Sequence, residues 1–228
     1  MLEAGADMID LGARSTAPAM EALKKRPELV RRLLVHSKLS QGDTRHAMLD
    51  ACAAHGIRVE FADRVLNRLG KANVFAAAVF TKQDTALDAS ASHLVLCQPA
   101  DMGNLGTILR SALGFGFLNI AIIRPAADVY DPQVVRASMG AMFSLRISEY
   151  DNFEQYMAHF PGRHLYPFML SGAVGLEEAA KTARTPYSLV MGNEGSGLPE
   201  SFAALGTAVR IPHSEQIDSL NLAVAASI

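Results

Sequence analysis

The chain has 228 residues, half of them hydrophobic and 19% charged, with a formal net charge of −2. This is the composition of a globular protein with a substantial core, and it excludes a uniformly basic nucleic-acid binder. Its longest apolar run, residues 74–80, is far short of the ~20 residues that cross a bilayer, and acidic residues at Glu3, Asp7 and Asp10 argue against a secretory leader.

The first stretch, "GADMIDLGARSTAP" (5–18), resembles a strand-end motif of dihydropteroate synthases. Those enzymes are TIM barrels of about 250 residues, and nothing after Pro18 continues the likeness, so residues 1–18 stay unassigned. "AMEALKKRPELVRRLL" (19–34) carries apolar residues at helical spacing, with Pro27 placed to break the helix or start a second one. "DTRHAMLDACAAHG" (43–56) reads as a helix with Asp43 as N-cap and Gly56 just past its end. "IRVEFA" alternates as a half-buried strand, and "VFAAAVF" is a more buried one. Together residues 19–81 form a small α/β unit, near the lower size limit for independent stability. The polar, aperiodic residues 82–91 make the linker.

From residue 92 on, apolar strands alternate with helical segments. "HLVLCQ", "NIAIIRP", "SLRIS", "HLYPFML", "YSLVMG" and "AVRIP" are the strands, separated by "NLGTILRSALGFG", "VVRASMGAMF", "NFEQYMAHF" and "GLEEAAKTA". This is the pattern of an α/β domain, a parallel sheet with helices on both faces. Ligands of such sheets sit beyond the carboxyl ends of the strands. Three polar loops, "ADMGN", "GNEGSG" and "PHSEQIDSLN", all fall there.

Charge is uneven along the chain. Residues 20–72 hold 11 Lys and Arg against 6 Asp and Glu, whereas residues 73–228 hold 9 against 14. Either the first unit touches a polyanion or it carries a solvated basic helix face. Two cysteines, Cys52 and Cys97, with no C-x-x-C spacing fit a reduced, cytoplasmic setting. None of the seven histidines has metal-ligand spacing, so no metal is expected.

"GNEGSG" (192–197) lacks the Lys-Ser/Thr of a triphosphate-binding loop, and its glycines are spaced G-x-x-G-x-G, unlike the dinucleotide fingerprint. By itself it is an ordinary glycine-rich strand-to-helix turn. In "NLGTILRSALGFG", Asn104 and Gly106 lie at a strand-to-helix junction with Arg110 one turn in. Arg110 is either a cation held in apolar surroundings or an arginine on the solvent face of an amphipathic helix. Ser219 and Asn221 precede the small-residue helix "LAVAAS", where Ser219 also suits a plain N-cap.

Taken together, "NLGTILRSALGFG", "LVMGNEGSGL" and "IPHSEQIDSLNLAVAASI" resemble the three signature motifs of the SpoU/TrmH ribose methyltransferases of the SPOUT superfamily, and "VVRASMGAMF" resembles their connecting segment. The resemblance covers residues 94–228, and the preceding basic unit is similar to the substrate-binding domain often joined to such a catalytic domain. It implies a SPOUT-type α/β fold with a C-terminal trefoil knot, S-adenosyl-L-methionine as cofactor, and the ribose 2′-hydroxyl of an rRNA or tRNA as substrate. It further implies a homodimer. A non-catalytic RNA-binding relative of the same fold is the alternative.

By the same resemblance, the main chain at Gly192, Ile211 and Leu220 holds the cofactor, with Asn193 and Gly197 shaping the loop around it. Arg110, Asn104, Glu194, Ser219 and Asn221 form the catalytic set. Family members assign Arg110 to activate the hydroxyl. A guanidinium is a poor base, so contact with the neighbouring phosphate and with the developing alkoxide is the physically easier role. Glu194 is expected to brace the turn by accepting from backbone N–H groups of a neighbouring loop or from Arg110. Relatives extend the last helix beyond the position of Ile228, so the resemblance implies a longer final helix than this sequence contains.

Overall fold

The computed structural model describes residues 7–9, 17–39, 42–68, 75–82 and 85–228. The chain divides into two compact units: Met1–Gln83 with Val129–Ser144, and Asp84–Asp128 with Leu145–Ile228.

In the first unit, β1 (Asp7–Ile9) comes from the unassigned N-terminal stretch; the rest of "GADMIDLGARSTAP" up to residue 16 lies outside the described residues. Helix α1 (Ala17–Lys25) buries Ala19, Ala22 and Leu23 on one stripe and places Lys24 and Lys25 in its last turn, where the helix dipole favours cations. Pro27 then opens a single 3₁₀ turn, and residues 30–34, expected as helix, lie in strand β2 (Val30–Val35) instead. Apolar residues at 30, 33 and 34 suit either element. Pairing with two neighbouring strands settles it.

Helix α2 (Asp43–Ala54) is capped by Gly42, not by Asp43, which sits inside the first turn as a charge favourable to the dipole. Gly56, at φ +65°, ends it by taking the left-handed conformation expected after a helix. Strand β3 (Arg58–Phe61), helix α3 (Asp63–Arg68) and the fully buried β4 (Ala76–Phe80) complete a four-stranded sheet ordered β1-β4-β2-β3.

The second unit begins with β5 (His93–Cys97), α4 (Met102–Gly114) and β6 (Asn119–Ile123). The chain next supplies α5 (Pro132–Ala137) and a 3₁₀ turn at Ala141–Ser144 to the first unit, where Phe143 packs edge-on against Phe80 with ring centroids 5.1 Å apart. The segment 129–144 therefore counts with the first unit, although the sequence analysis placed it in the second. Then follow β7 (Arg146–Tyr150), α6 (Phe153–His159), β8 (His164–Pro167), β9 (Val174–Gly175), α7 (Leu176–Thr182), β10 (Tyr187–Met191), a 3₁₀ turn at Glu200–Ala204, β11 (Val209–Arg210) and α8 (Leu222–Ala225).

Five of these strands make a wholly parallel sheet in the order β7-β6-β5-β10-β8, and β9 pairs with β11 beside it. Side-chain alternation sends Val95, Ala121, Leu165 and Val190 to one face, where they bury Phe153 and Tyr156 of α6. Tyr166 and Leu189 point to the other face and pack on Leu176 and Ala179 of α7. Helices thus cover both faces. At the amino edge, the buried Arg163 guanidinium donates to the carbonyls of Ala89, Ala91 and Tyr187 and approaches His93 Nε2 at 3.1 Å. His93 Nδ1 meets the Tyr156 hydroxyl at 3.0 Å, and that hydroxyl meets Ser188 Oγ at 2.6 Å. Burial, and behind it the Arg163 charge, push the His93 imidazole below its ordinary pKa.

The sheet reverses direction of growth between β5 and β10. The first chain of crossovers runs outward through β6 to β7, and the later strands fill the opposite side. Such a reversal point opens a crevice at the carboxyl edge.

Candidate active site

At that crevice three loops meet. The loop after β10 is closed on itself: Asn193 and Gly197 exchange both backbone hydrogen bonds, at 3.2 and 3.0 Å. The Asn193 side-chain oxygen accepts from Gly195 N (2.8 Å) and Ser196 N (3.3 Å), while its amide donates to the Gln98 carbonyl at 2.7 Å. Gly192 has no room for a side chain, because a Cβ there would collide with the Gly197 carbonyl carbon and Leu198 N. Gly197 turns at φ +67°.

Glu194 ties this loop to the one after β5. Its two oxygens accept from the backbone N–H of Ala100 (3.0 Å) and of Asp101 (3.2 Å), and Asn104 Nδ2 reaches the same carboxylate at 3.4 Å. Asp101 is the N-cap of α4, accepting from Asn104 N at 2.7 Å. The Asn104 side-chain oxygen in turn accepts from Asn221 Nδ2 at 3.0 Å. Asn221 caps α8, its oxygen accepting from Ala223 N and Val224 N. A carboxylate and two amides therefore connect loops some 90 and 117 residues apart in the chain.

Beside this relay lies a cavity of about 270 Å³. Its walls include Gly192, Asn193, Glu194 and Gly197 from the glycine-rich loop, Ile211 after β11, and Ser219 and Leu220 ahead of α8. Apolar surface comes from Met191, Leu198 and Leu222, and charge from Glu200, Arg210 and Glu194. Ser171 Oγ donates to the Glu200 carboxylate at 3.1 Å, at the same cavity.

Seven of the ten singled-out residues thus line one cavity: Gly192, Asn193, Glu194, Gly197, Ile211, Ser219 and Leu220. Asn104 and Asn221 join it through the relay without lining it. Arg110 is apart. It stands more than two turns into α4, not one, because the helix starts at Met102. It is exposed, and among the described residues it has neither a hydrogen-bond nor an ion-pair partner. Glu194 accepts from backbone N–H groups and Asn104, and no bond to Arg110 is formed. Ser219 leaves the helix cap to Asn221, since a cap must sit directly before the first helical residue, Leu222.

Asp101 is not among the residues singled out from the sequence, although Asp three residues before Asn104 ahead of an apolar helix is an N-cap signature. Nor is Gln98, whose carbonyl is presented by a left-handed backbone at φ +55°. No local signal marks that residue. Among the described residues no group of three His, Cys, Asp or Glu side chains is placed to hold a metal ion.

A parallel α/β sheet with three bonded loops around a cavity at its reversal point defines a ligand-binding α/β domain. The model of the SpoU rRNA Methylase family matches residues 91–228, more than half of the chain, and the protein belongs to that family. Solved structures are similar to it over nearly the whole chain. The SpoU methyltransferase AviRb from Streptomyces viridochromogenes in complex with AdoMet superposes with a TM-score of 0.79 at 26% identity, covering 98% of this chain and 87% of that one. The AdoMet-bound rRNA methyltransferase from Sinorhizobium meliloti gives 0.76 at 25% identity, covering 99% and 85%. A C-terminal trefoil knot is implied by this fold. In sequence, the chain is 34% identical over 139 residues to the 23S rRNA (uridine(2479)-2′-O)-methyltransferase of Streptomyces viridochromogenes, covering 57% of this chain and 47% of the enzyme. Against two other curated relatives, the matched region spans 25% and 50% of their length.

Proposed function

We propose that the protein methylates a ribose 2′-hydroxyl of rRNA or tRNA with S-adenosyl-L-methionine as donor. The observation that carries this reading is the Glu194–Asn104–Asn221 relay, which joins three family loops around one cavity. The cavity suits the cofactor on its own terms. Gly192, Ile211 and Leu220 border it, the absent side chain at Gly192 lets the loop close tightly on Gly197 and Leu198 at its wall, and Met191, Leu198 and Leu222 offer apolar surface to a purine.

The donor supplies a methyl group on sulfur for in-line displacement, which needs no metal. The protein's part is positioning and the handling of one hydroxyl proton. Glu194 fixes the loop, and Asn104 and Asn221 hold α4 and α8 at the cavity rim. Arg110, a permanent cation with no partner among the described residues, is available to bind the phosphate next to the target ribose and to stabilise the alkoxide as it forms.

Because Arg110 does not line the cavity of its own chain, a second copy is the source of this cation that fits best. Phe115, Leu118, Val224 and Ile228 leave an apolar, strongly exposed surface on the same unit, suited to a homodimer. No helix among the described residues is long and apolar enough to cross a membrane. Two buried, unpaired cysteines fit the reducing cytoplasm, where the RNA substrates also are.

Isothermal calorimetry with S-adenosyl-L-methionine, followed by mapping of 2′-O-methyl positions in RNA from a deletion strain, tests the proposal. Binding together with one missing methyl mark supports it. No cofactor uptake favours a non-catalytic RNA-binding relative instead. Mixing Arg110→Ala with Gly192→Ala subunits tests the dimer, since restored activity requires one chain to complete the other's site.

A further inference from the structure

Phe61 closes β3, the edge strand of the first sheet, and the residue is 65% exposed. A singly exposed phenylalanine is ordinary on a protein surface. This one is not left alone. The Arg45 guanidinium, from the first turn of α2, stands over the ring at 5.8 Å from its centroid, and Arg45 Nη1 is held there by donation to the Leu39 carbonyl at 3.3 Å. A guanidinium fixed on one side of an aromatic ring, with the rest of the ring in solvent, is the arrangement that stacks an unpaired base and draws in its phosphate.

The surroundings favour a polyanion. Lys38 and Arg64, close by in sequence to these groups, are exposed and form no ion pair among the described residues. The acids on either side of Phe61 in the chain are engaged: both Asp63 oxygens accept from Ser37, through the backbone N–H and the hydroxyl, and Glu60 pairs with Arg32 and Arg58. The segment 20–72 as a whole carries 11 cations against 6 acids. We propose that Phe61 and Arg45 form a stacking site for one unpaired nucleobase of the RNA substrate, so that the first unit grips single-stranded rather than helical RNA. This rests on the RNA-substrate reading above and adds to it a place and a base-dependent contact.

The test uses the full chain and fluorescence anisotropy with two labelled oligoribonucleotides of about 10 nucleotides, one unstructured and base-bearing, the other abasic. The wild type binds the base-bearing strand more tightly. Phe61→Leu weakens that binding about 5- to 100-fold and leaves the abasic strand unchanged, while Phe61→Tyr retains it. The chain has no tryptophan, so Phe61→Trp adds a single reporter whose emission the base-bearing strand quenches and the abasic one does not. Equal binding of both strands by the wild type overturns the inference and leaves the RNA reading standing. So does a leucine variant with unchanged affinities, as expected if the ring serves a protein partner. Failure of the wild type to bind either strand overturns both.

Discussion

Replacing Glu194 by glutamine removes one charge and one acceptor while keeping the shape. In the native loop both carboxylate oxygens accept from backbone N–H groups, Ala100 at 3.0 Å and Asp101 at 3.2 Å. Glutamine can satisfy only one. Its amide NH₂ must face the other N–H, donor against donor. Hydrogen bonds to a charged acceptor contribute about 1.5–3 kcal/mol each when intact. For this half-buried group, discounted for solvent, the expected loss is about 1–2 kcal/mol. In a protein of this size that lowers the melting temperature by about 2–8 °C. Where the free loop instead relaxes out of its binding shape, that energy shows in binding rather than in melting, as an S-adenosyl-L-methionine affinity up to about 5- to 30-fold weaker. Calorimetry and single-turnover methyl transfer separate binding from chemistry. Weaker binding with near-normal kcat at saturation supports the bracing role. Intact affinity with abolished turnover refutes it and makes Glu194 a proton carrier.

Gly192→Ala drives a methyl group into Gly197 and Leu198, an overpacking strain of about 1–3 kcal/mol, and calorimetry should show cofactor binding lost or strongly weakened in a protein that still melts cooperatively. Asn221→Ala removes both the α8 cap and the bond to Asn104, at a cost of about 1 kcal/mol for the cap; Asn221→Ser should recover the thermal stability but not the turnover. His93, buried and neutral, has a folded pKa below that of the unfolded chain. Its contribution to stability is therefore complete above about pH 6.5 and falls as the pH drops towards the folded value. Thermal melts of wild type at pH 7.5 and 5.5 should differ more than those of His93→Gln, and equal differences would show that the acid sensitivity lies elsewhere.

Elements with one unambiguous pattern were legible from the sequence. The buried runs "HLVLC", "NIAII" and "YSLVM" could only be interior strands, and their alternation with helices dictated a parallel sheet. Residues 30–34 were not legible, because "VRRLL" presents an apolar stripe to either period, and the choice fell to hydrogen bonds with β4 and β3. Placing Arg110 required the true start of α4. Asp101 sets that start through a side-chain cap visible only as a weak local signal. The position of the three loops at one sheet edge followed from strand polarity. Their bonding did not, since Glu194 meets partners some 90 residues earlier, and no periodicity records such a contact.

Strand β10 pairs with β5 on one side and β8 on the other, and β8 has no other partner in that sheet. During synthesis, the ribosome releases β8 before the strand that anchors it exists. Until residues 187–191 emerge, the nascent chain holds an open flank on β5 and a homeless β8, and the long sequence separation of these pairings makes their closure slow. Completion of the sheet and creation of the cavity are thus one late event, and a ribosome stalled short of Tyr187 yields at most the paired strands β5, β6 and β7, with no cavity.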